Sequence, residues 1–462
     1  MKSLRLLTLG ALGLLGLAAC GGGNPSSQAP QSSAQPSSAQ PSSPAESSEA
    51  KTPVKVGLIC LHDDNSTYDA NFIKALREAV SHLGEEKVIF EENCLLTGIN
   101  EDQTCYEAAK DLVNKGCNVI FADSFGHDEY MLQAAKEYPN VQFCHATGTK
   151  STVNKEQTNF HNAFASIYEG RFMAGYAAGL KLLTDADVDF DNLSTADSKI
   201  AAGTKVGYVG AFPYAEVKSG YTSWFLGLRQ ALRDCQVTDT KVTMSVKFTG
   251  SWYDPTAEAN AATALINEGC VLISQHADSM GAPGVCEANG IPNITYNIET
   301  KEECETTYIG YSRINWAPYY EAVVNAVYNG TAIAHEADQN WTGTLATGSV
   351  EYNVNWANII DGYDPASDEV YDQQVLLLDM KLRLDGGYKI FNCENFKLAA
   401  APAGGTIDEH GHLASYLADV IDDGTFTGET QVVLTEDDVT YFAESLFRSA
   451  PYFDLDIEGI NL

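Results

Sequence analysis

The chain has 462 residues, enough for two domains of ordinary size. It carries 62 acidic against 28 basic residues, a formal charge of −34, and its nine His and basic residues form no patch. That balance excludes a nucleic-acid partner and anionic ligands gathered by long-range attraction.

The first element is a leader. "MKSLRLLTLGALGLLGLAAC" has Lys2 and Arg5, then an apolar run to Ala19 of signal-peptide length, so residues 1–19 are set aside from the fold. Leu17-Ala18-Ala19-Cys20 looks like a bacterial lipobox, which implies cleavage before Cys20 and a lipid on its sulfur. After Cys20, "GGGNPSSQAPQSSAQPSSAQPSSPAESSEA" has no core-forming residues, and residues 20–53 read as a flexible tether. At 5–6 Å × √n its span is on the order of 30 Å. No later run is long and apolar enough to cross a bilayer, so the expected arrangement is anchored, not spanning.

From residue 54 the chain alternates. "VKVGLICL", "KVIFEE", "NVIFAD" and "VQFCHATG" are short β-rich runs, separated by segments with helical spacing and Gly or Pro stops. This pattern predicts a parallel sheet covered by helices on both faces. It restarts at "TKVGYVGAF", followed by "KVTMSVKF", "VLISQHA" and "NITYN". The fold class is therefore α/β, with two doubly wound Rossmann-like lobes joined by a hinge. Lobe 1 is expected over 54–166, lobe 2 over 167–297, a return to lobe 1 over 298–318, and the rest of lobe 2 with a C-terminal extension over 319–462. "YEGRFMAGYAAG" joins the halves, its Gly170, Gly175 and Gly179 allowing close helix packing. Ligands of such folds sit between the lobes, at the carboxyl ends of the strands.

Ten cysteines remain besides Cys20. Several fall in or beside buried strands, no CxxC or zinc spacing occurs, and mostly free thiols are expected. Cys94 with Cys105 or Cys117 is the pairing to check. His410 and His412 in "DEHGH" suggest only adventitious metal binding, and no HExxH, GxSxG, Walker A or dinucleotide motif appears. Neither an enzyme nor a cofactor is expected.

Several pieces, in order, resemble the basic membrane protein family, the purine- and nucleoside-binding lipoproteins of ABC importers. They are "DDNSTYDANF", "NVIFADSFGHDEYMLQAAKEYP", "ASIYEGRFMAGYAAG", "KVGYVGAF", "GSWYDPTAEANAATALINEGCVLISQHADS", "WTGTLATGSV" and "GGYKIF". The resemblance implies a periplasmic-binding-protein type I fold and a lipid-anchored receptor on the outer face of the cell membrane. It also implies permease and ATPase partners. "GSWYDP…QHADS" is most similar to a branch associated with purine bases. Two departures stand out: Tyr68-Asp69-Ala70 where the family has an aromatic followed by Asn-Gln, and a long acidic tail after "KIF".

Strand-end positions supply the candidate contacts. Asp63, Asp64 and Tyr68 follow the first strand, and the resemblance gives Tyr68 a stacking role. Asp123 and Phe125 end the third strand, and Glu169 opens the joining helix. In the second half Trp252 and Tyr253 occupy a strand-to-helix turn, where large aromatics are unusual unless the turn faces a closing crevice. Asp254-Pro255 behind them caps a helix. His276 and Asp278 end the next strand, Asp278 as an acceptor for purine N–H groups or ribose hydroxyls. Asn297 ends the last strand, where the family carries a polar ligand-binding residue, and Trp316 reads as packing. The alternatives are the same fold binding a sugar or another small ligand, and a sensor lipoprotein without a transporter.

Overall fold

A computed structural model describes residues 51–333, 339–367, 369–421 and 428–462. The leader, Cys20 and almost all of the tether lie outside these. The first strands and helices follow the expected alternation: β1 (Val54–Ile59), α1 (Thr67–Leu83), β2 (Val88–Leu96), α2 (Gln103–Asn114), β3 (Val119–Ala122), α3 (Asp128–Glu137), β4 (Gln142–Ala146) and β5 (Phe160–Ala165). Then come α4 (Ile167–Asp185), α5 (Ala196–Lys199), β6 (Thr204–Gly210), α6 (Ala215–Asp234), β7 (Val242–Phe248), α7 (Pro255–Asn267), β8 (Cys270–His276), α8 (Gly281–Asn289), β9 (Asn293–Tyr296) and β10 (Tyr308–Ile314). The helix starts are capped as their sequences dictate. Ser66 accepts from Asp69 N at α1, Asp102 from Thr104 N at α2, and Asp254 from Thr256 N and Ala257 N at α7, with Pro255 in the first turn.

Two sheets form the lobes. With β11 at Asn340–Gly343, β12 at Val350–Val354 and β18 at Ile460–Asn461, lobe 1 has the order β11-β5-β4-β3-β1-β2 and lobe 2 the order β12-β10-β9-β8-β6-β7-β18. Every neighbouring pair is parallel except β12 against β10. The chain crosses between lobes three times, at Ala165–Ile167, Ile314–Ala317 and Gly343–Val350. The last crossing departs from the expected boundary, which put everything after 318 in lobe 2. Instead α9 (Ala317–Asn329) packs its Tyr320 and Val323 into the lobe 1 core, and β11 (Asn340–Gly343) extends that lobe's sheet beside β5. Only β12 (Val350–Val354) returns to lobe 2. A four-residue strand can pair with either sheet edge, and nothing in its own residues selects one.

The joining helix works as its glycines suggest. A Cβ at Gly175 would meet Trp224 O at 1.8 Å, and one at Gly227 would meet Phe172 O at 2.0 Å, so α4 and α6 touch backbone to backbone. Around this contact sits the largest core, which also takes in the C-terminal segment: Phe391, Phe442 and Phe453 pack with their rings 4.9–6.4 Å apart. That segment forms β13 (Gly405–Ile407), β14 (Leu413–Ala418), β15 (Thr430–Gln431), β16 (Val433–Glu436) and β17 (Val439–Phe442), and ends as β18 (Ile460–Asn461) beside β7. The ten described cysteines are all free and buried; the sulfurs of Cys94 and Cys117 come within 3.7 Å.

Candidate functional site

The strand ends of the two lobes meet across a narrow slot. Leu61, His62, Tyr68, Asp69, Ser124, Phe125 and Thr147 line it from lobe 1, and Glu216, Trp252, His276, Asp278 and Tyr296 from lobe 2. Its cavity volume is about 30 Å³, room for a water molecule or two. The lobes touch around it: Thr67 N donates to Asp278 O at 2.9 Å, and the His62 and Tyr253 rings lie 5.5 Å apart. This is a closed arrangement. Thr147 and Asn297, at the ends of the fourth strand of each lobe, both hold the left-handed conformation (φ 70° and 73°), strained backbone of a kind that clusters at ligand sites.

On lobe 2, Trp252 packs edge-on to Phe212 (5.2 Å) and near Tyr214 and His276. Asp278 beside it is tied three ways. Its N–H donates to Trp252 O at 2.9 Å, its carbonyl accepts from Thr67 across the cleft, and its Oδ1 accepts from Asn297 Nδ2 at 3.0 Å. Burial pushes the Asp278 carboxyl well above the usual range, and the charges of Asp69, Glu258 and Glu216 push the same way. Burial likewise lowers His276 to about 4, with Arg171 adding to it, so a neutral ring sits 3.3 Å from Glu216 Oε1. Arg171 lies behind, its guanidinium 3.7 Å over the Tyr296 ring and donating to Tyr208 Oη and Gln275 O.

On lobe 1, Tyr68 is half-buried and donates to Asp123 O at 2.8 Å. Asp123 sits beneath it, fully buried, with Oδ1 accepting from Leu61 N. Burial raises its carboxyl well above the usual range and the Asp69 charge adds to that. Asp69 is also buried, yet the hydrogen bonds of His62 and Ser66 hold it below the usual range. Cys60, Asp69 and Asp123 have donor atoms within 4.8 Å of one another, the one such group among the described residues. Burial raises the Cys60 thiol as well.

The structure brings together Tyr68, Phe125, Trp252, His276 and Asp278 at the slot, with Asp123 and Asn297 directly behind. Four candidates stand elsewhere or differently. Asp63 and Asp64 are exposed outside it; Asp63 accepts from Asn65 N and Nδ2, shaping the turn before α1. Asp69, in the first turn of α1, is the carboxylate that faces inward. Glu169 accepts from Leu345 N at 2.6 Å, bracing one crossing segment against another. Tyr253 meets His62 across the cleft and does not line the slot. Trp316 stacks on Phe72 at 4.4 Å as packing. The sequence reading missed Glu216 and Tyr214, just after β6, although the strand-end rule applied to "GAFPYAE" points to them.

Outside the slot the cleft widens into a chamber of about 760 Å³, a size typical of ligand pockets. Phe125, Thr147, Glu216 and Trp252 line both spaces and so form the neck between them. Phe125 and Tyr214 are each 51% exposed, aromatic faces turned to the opening.

Two doubly wound lobes with three crossings over a cleft of this kind define a periplasmic-binding-protein type I fold. An ABC transporter solute-binding protein from Conexibacter woesei has this fold, with a TM-score of 0.51 at 18% identity over 72% of this chain and 97% of that one. Residues 56–377 match the Bmp family model, described as ABC transporter substrate-binding protein PnrA-like, and the chain belongs to that family. It is 30% identical over 285 residues to a purine-binding protein of Brucella abortus, covering 61% of this chain and 71% of that one. It is 28% identical over 257 residues to a putative ABC transporter glucose-binding protein of Haloferax volcanii, covering 55% of each. The family is one of extracytoplasmic substrate binders, not enzymes, that serve a permease and an ATPase. Among the described residues no helix is long and apolar enough to cross a membrane.

Proposed function

We propose that this chain is a lipid-anchored receptor that captures a purine base or purine nucleoside and delivers it to an ABC importer. The observation that carries this reading is the neck: Phe125 from lobe 1 and Trp252 from lobe 2, opening onto a slot that holds Asp69, Asp278 and Glu216 and no Lys or Arg. A flat aromatic ring gains stacking from such faces, and a donor-rich edge finds acceptors beyond them. A phosphate would meet like charge. The name of the Brucella abortus relative supports the purine reading. Anchoring rests on Cys20 and the tether, which lie outside the described residues.

Aromatic platforms with carboxylates also suit a pyranose, and the Haloferax volcanii relative named as a glucose binder favours that second reading. Mass spectrometry of the ligand released from purified protein, followed by calorimetric titration with adenine, guanine, hypoxanthine, their ribosides and glucose, separates the two. Binding of glucose with no purine response would replace the first reading by the second.

A further inference from the structure

The family match ends at residue 377, yet twelve of the twenty-one residues lining the outer chamber lie between Ala403 and Asp454. We propose that this C-terminal segment builds a second subsite, which takes the sugar of a purine riboside while the neck holds the base. The proposal rests on the purine reading above.

The sizes argue for it first. The slot is far below the ~300–1,000 Å³ of small-molecule pockets, so it can receive a polar edge but not a whole ligand. A base between Phe125 and Trp252 therefore turns one side to the slot and the other to the chamber, which is within that range.

The wall is also held in place. Ser219 Oγ of α6 donates to the buried Glu444, Lys218 Nζ pairs with Asp454 at 2.5 Å, and Asn162 Nδ2 of β5 donates to Ser449 Oγ at 2.7 Å. The segment is thus fastened to both lobes, beside the cleft, and is not a loose appendage.

Its chemistry selects among purine derivatives. Leu417, Tyr416 and Tyr452 offer apolar surface, and Glu216 and Asp454 offer acceptors for hydroxyl groups. Arg448 donates to Ala450 O and Pro451 O within its own turn. Neutral, hydroxyl-bearing ribose fits these walls; a 5′-phosphate meets the carboxylates of Glu216, Asp419 and Asp454 against the one guanidinium of Arg448.

The test fills the chamber. Leu417 is 43% exposed on β14 and Ala403 is exposed nearby, so Leu417→Trp and Ala403→Trp add bulk to the chamber without disturbing the core. Thermal unfolding without ligand verifies that each folds, and either variant alone suffices. Wild type should bind adenosine and inosine at least tenfold more tightly than adenine and hypoxanthine, with AMP weaker than adenosine. The filled variants should lose at least tenfold for the ribosides while the free bases change less than twofold. Equal wild-type affinity for base and riboside, or variants that shift both ligands alike or neither, would overturn the proposal and leave the purine reading standing. If no purine in any form binds wild type, the purine reading fails and the subsite falls with it.

Discussion

Replacing Trp252 by alanine tests the neck most directly. The indole contributes one face of the site and touches Phe212 at 5.2 Å, while its backbone carbonyl separately accepts from Asp278 N. The substitution removes the face and keeps the carbonyl. Stacking of a base on an aromatic side chain contributes roughly 1–3 kcal/mol, by analogy with single-stranded nucleic-acid binders. Affinity should therefore fall about 5- to 150-fold. Losing the edge contact to Phe212 costs about 0.5–1.5 kcal/mol beyond the apolar area that the half-buried indole gives up. Because every base has a π-face, the loss should be similar for adenine-, guanine- and hypoxanthine-type ligands, and Trp252→Phe should restore most of it. Calorimetric titration of the three proteins against each ligand reads this out. Unchanged affinity in Trp252→Ala, or loss confined to one base, would refute the stacking role.

Asp278→Asn should act selectively, changing adenine- and guanine-type ligands by different factors, because it swaps a carboxyl for a fixed donor–acceptor pair; a uniform change in titration would deny it the reading of the base edge. Glu444 is fully buried between the C-terminal segment and α6, and burial lifts its carboxyl to about 7. A raised folded pKa means stability that is complete below about 4.5 and lost as pH rises through about 7, worth roughly 3 kcal/mol from a displacement of about 2.5. Between pH 5 and 8, wild type should therefore lose more thermal stability than Glu444→Gln, and equal slopes would show that the group does not titrate as argued. The slot is too small to admit a base with the lobes closed, so small-angle scattering should give a larger radius of gyration without ligand than with it; identical curves would exclude hinge opening. Cys20→Ser should release the protein from the membrane fraction with ligand affinity unchanged, and retention on the membrane would end the lipobox reading.

The elements that sequence made legible are those governed by local periodicity. Alternating strands and helical runs place both sheets, and Asp254-Pro255 marks the start of α7, which fixes where Trp252 must emerge. Strand-end logic then brings Phe125, Trp252, His276 and Asp278 to the slot. Long-range choices were not legible. Whether β11 pairs with β5 or with lobe 2 depends on the path of the chain after α9, not on "NWTG" itself. Asp63 and Asp64 stand nearest the end of the first strand and read as its acids, whereas the turn that Asp63 closes leaves both exposed and the inward carboxylate is Asp69. The C-terminal strands are two to six residues long with no shared period, so nothing in them announces that they border the cleft.

On the proposed purine reading, one residue joins recognition to closure. Asp278 offers its carboxyl to the slot, holds the loop of Trp252 by its N–H, and accepts Thr67 N–H from the opposite lobe through its carbonyl. A ligand edge that fixes this carboxyl also fixes the loop bearing the stacking face and the acceptor that clasps lobe 1. Ligand contacts made only in the closed form shift the population toward it, and only by the difference in affinity between the two forms. The contact that Asp278 itself makes across the cleft is one backbone hydrogen bond, with a contribution of about 0.5–1.5 kcal/mol. That is too small to hold the lobes shut alone and large enough to bias them once stacking is added. On that reading closure reports occupancy, the signal by which an importer would accept a loaded receptor and ignore an empty one.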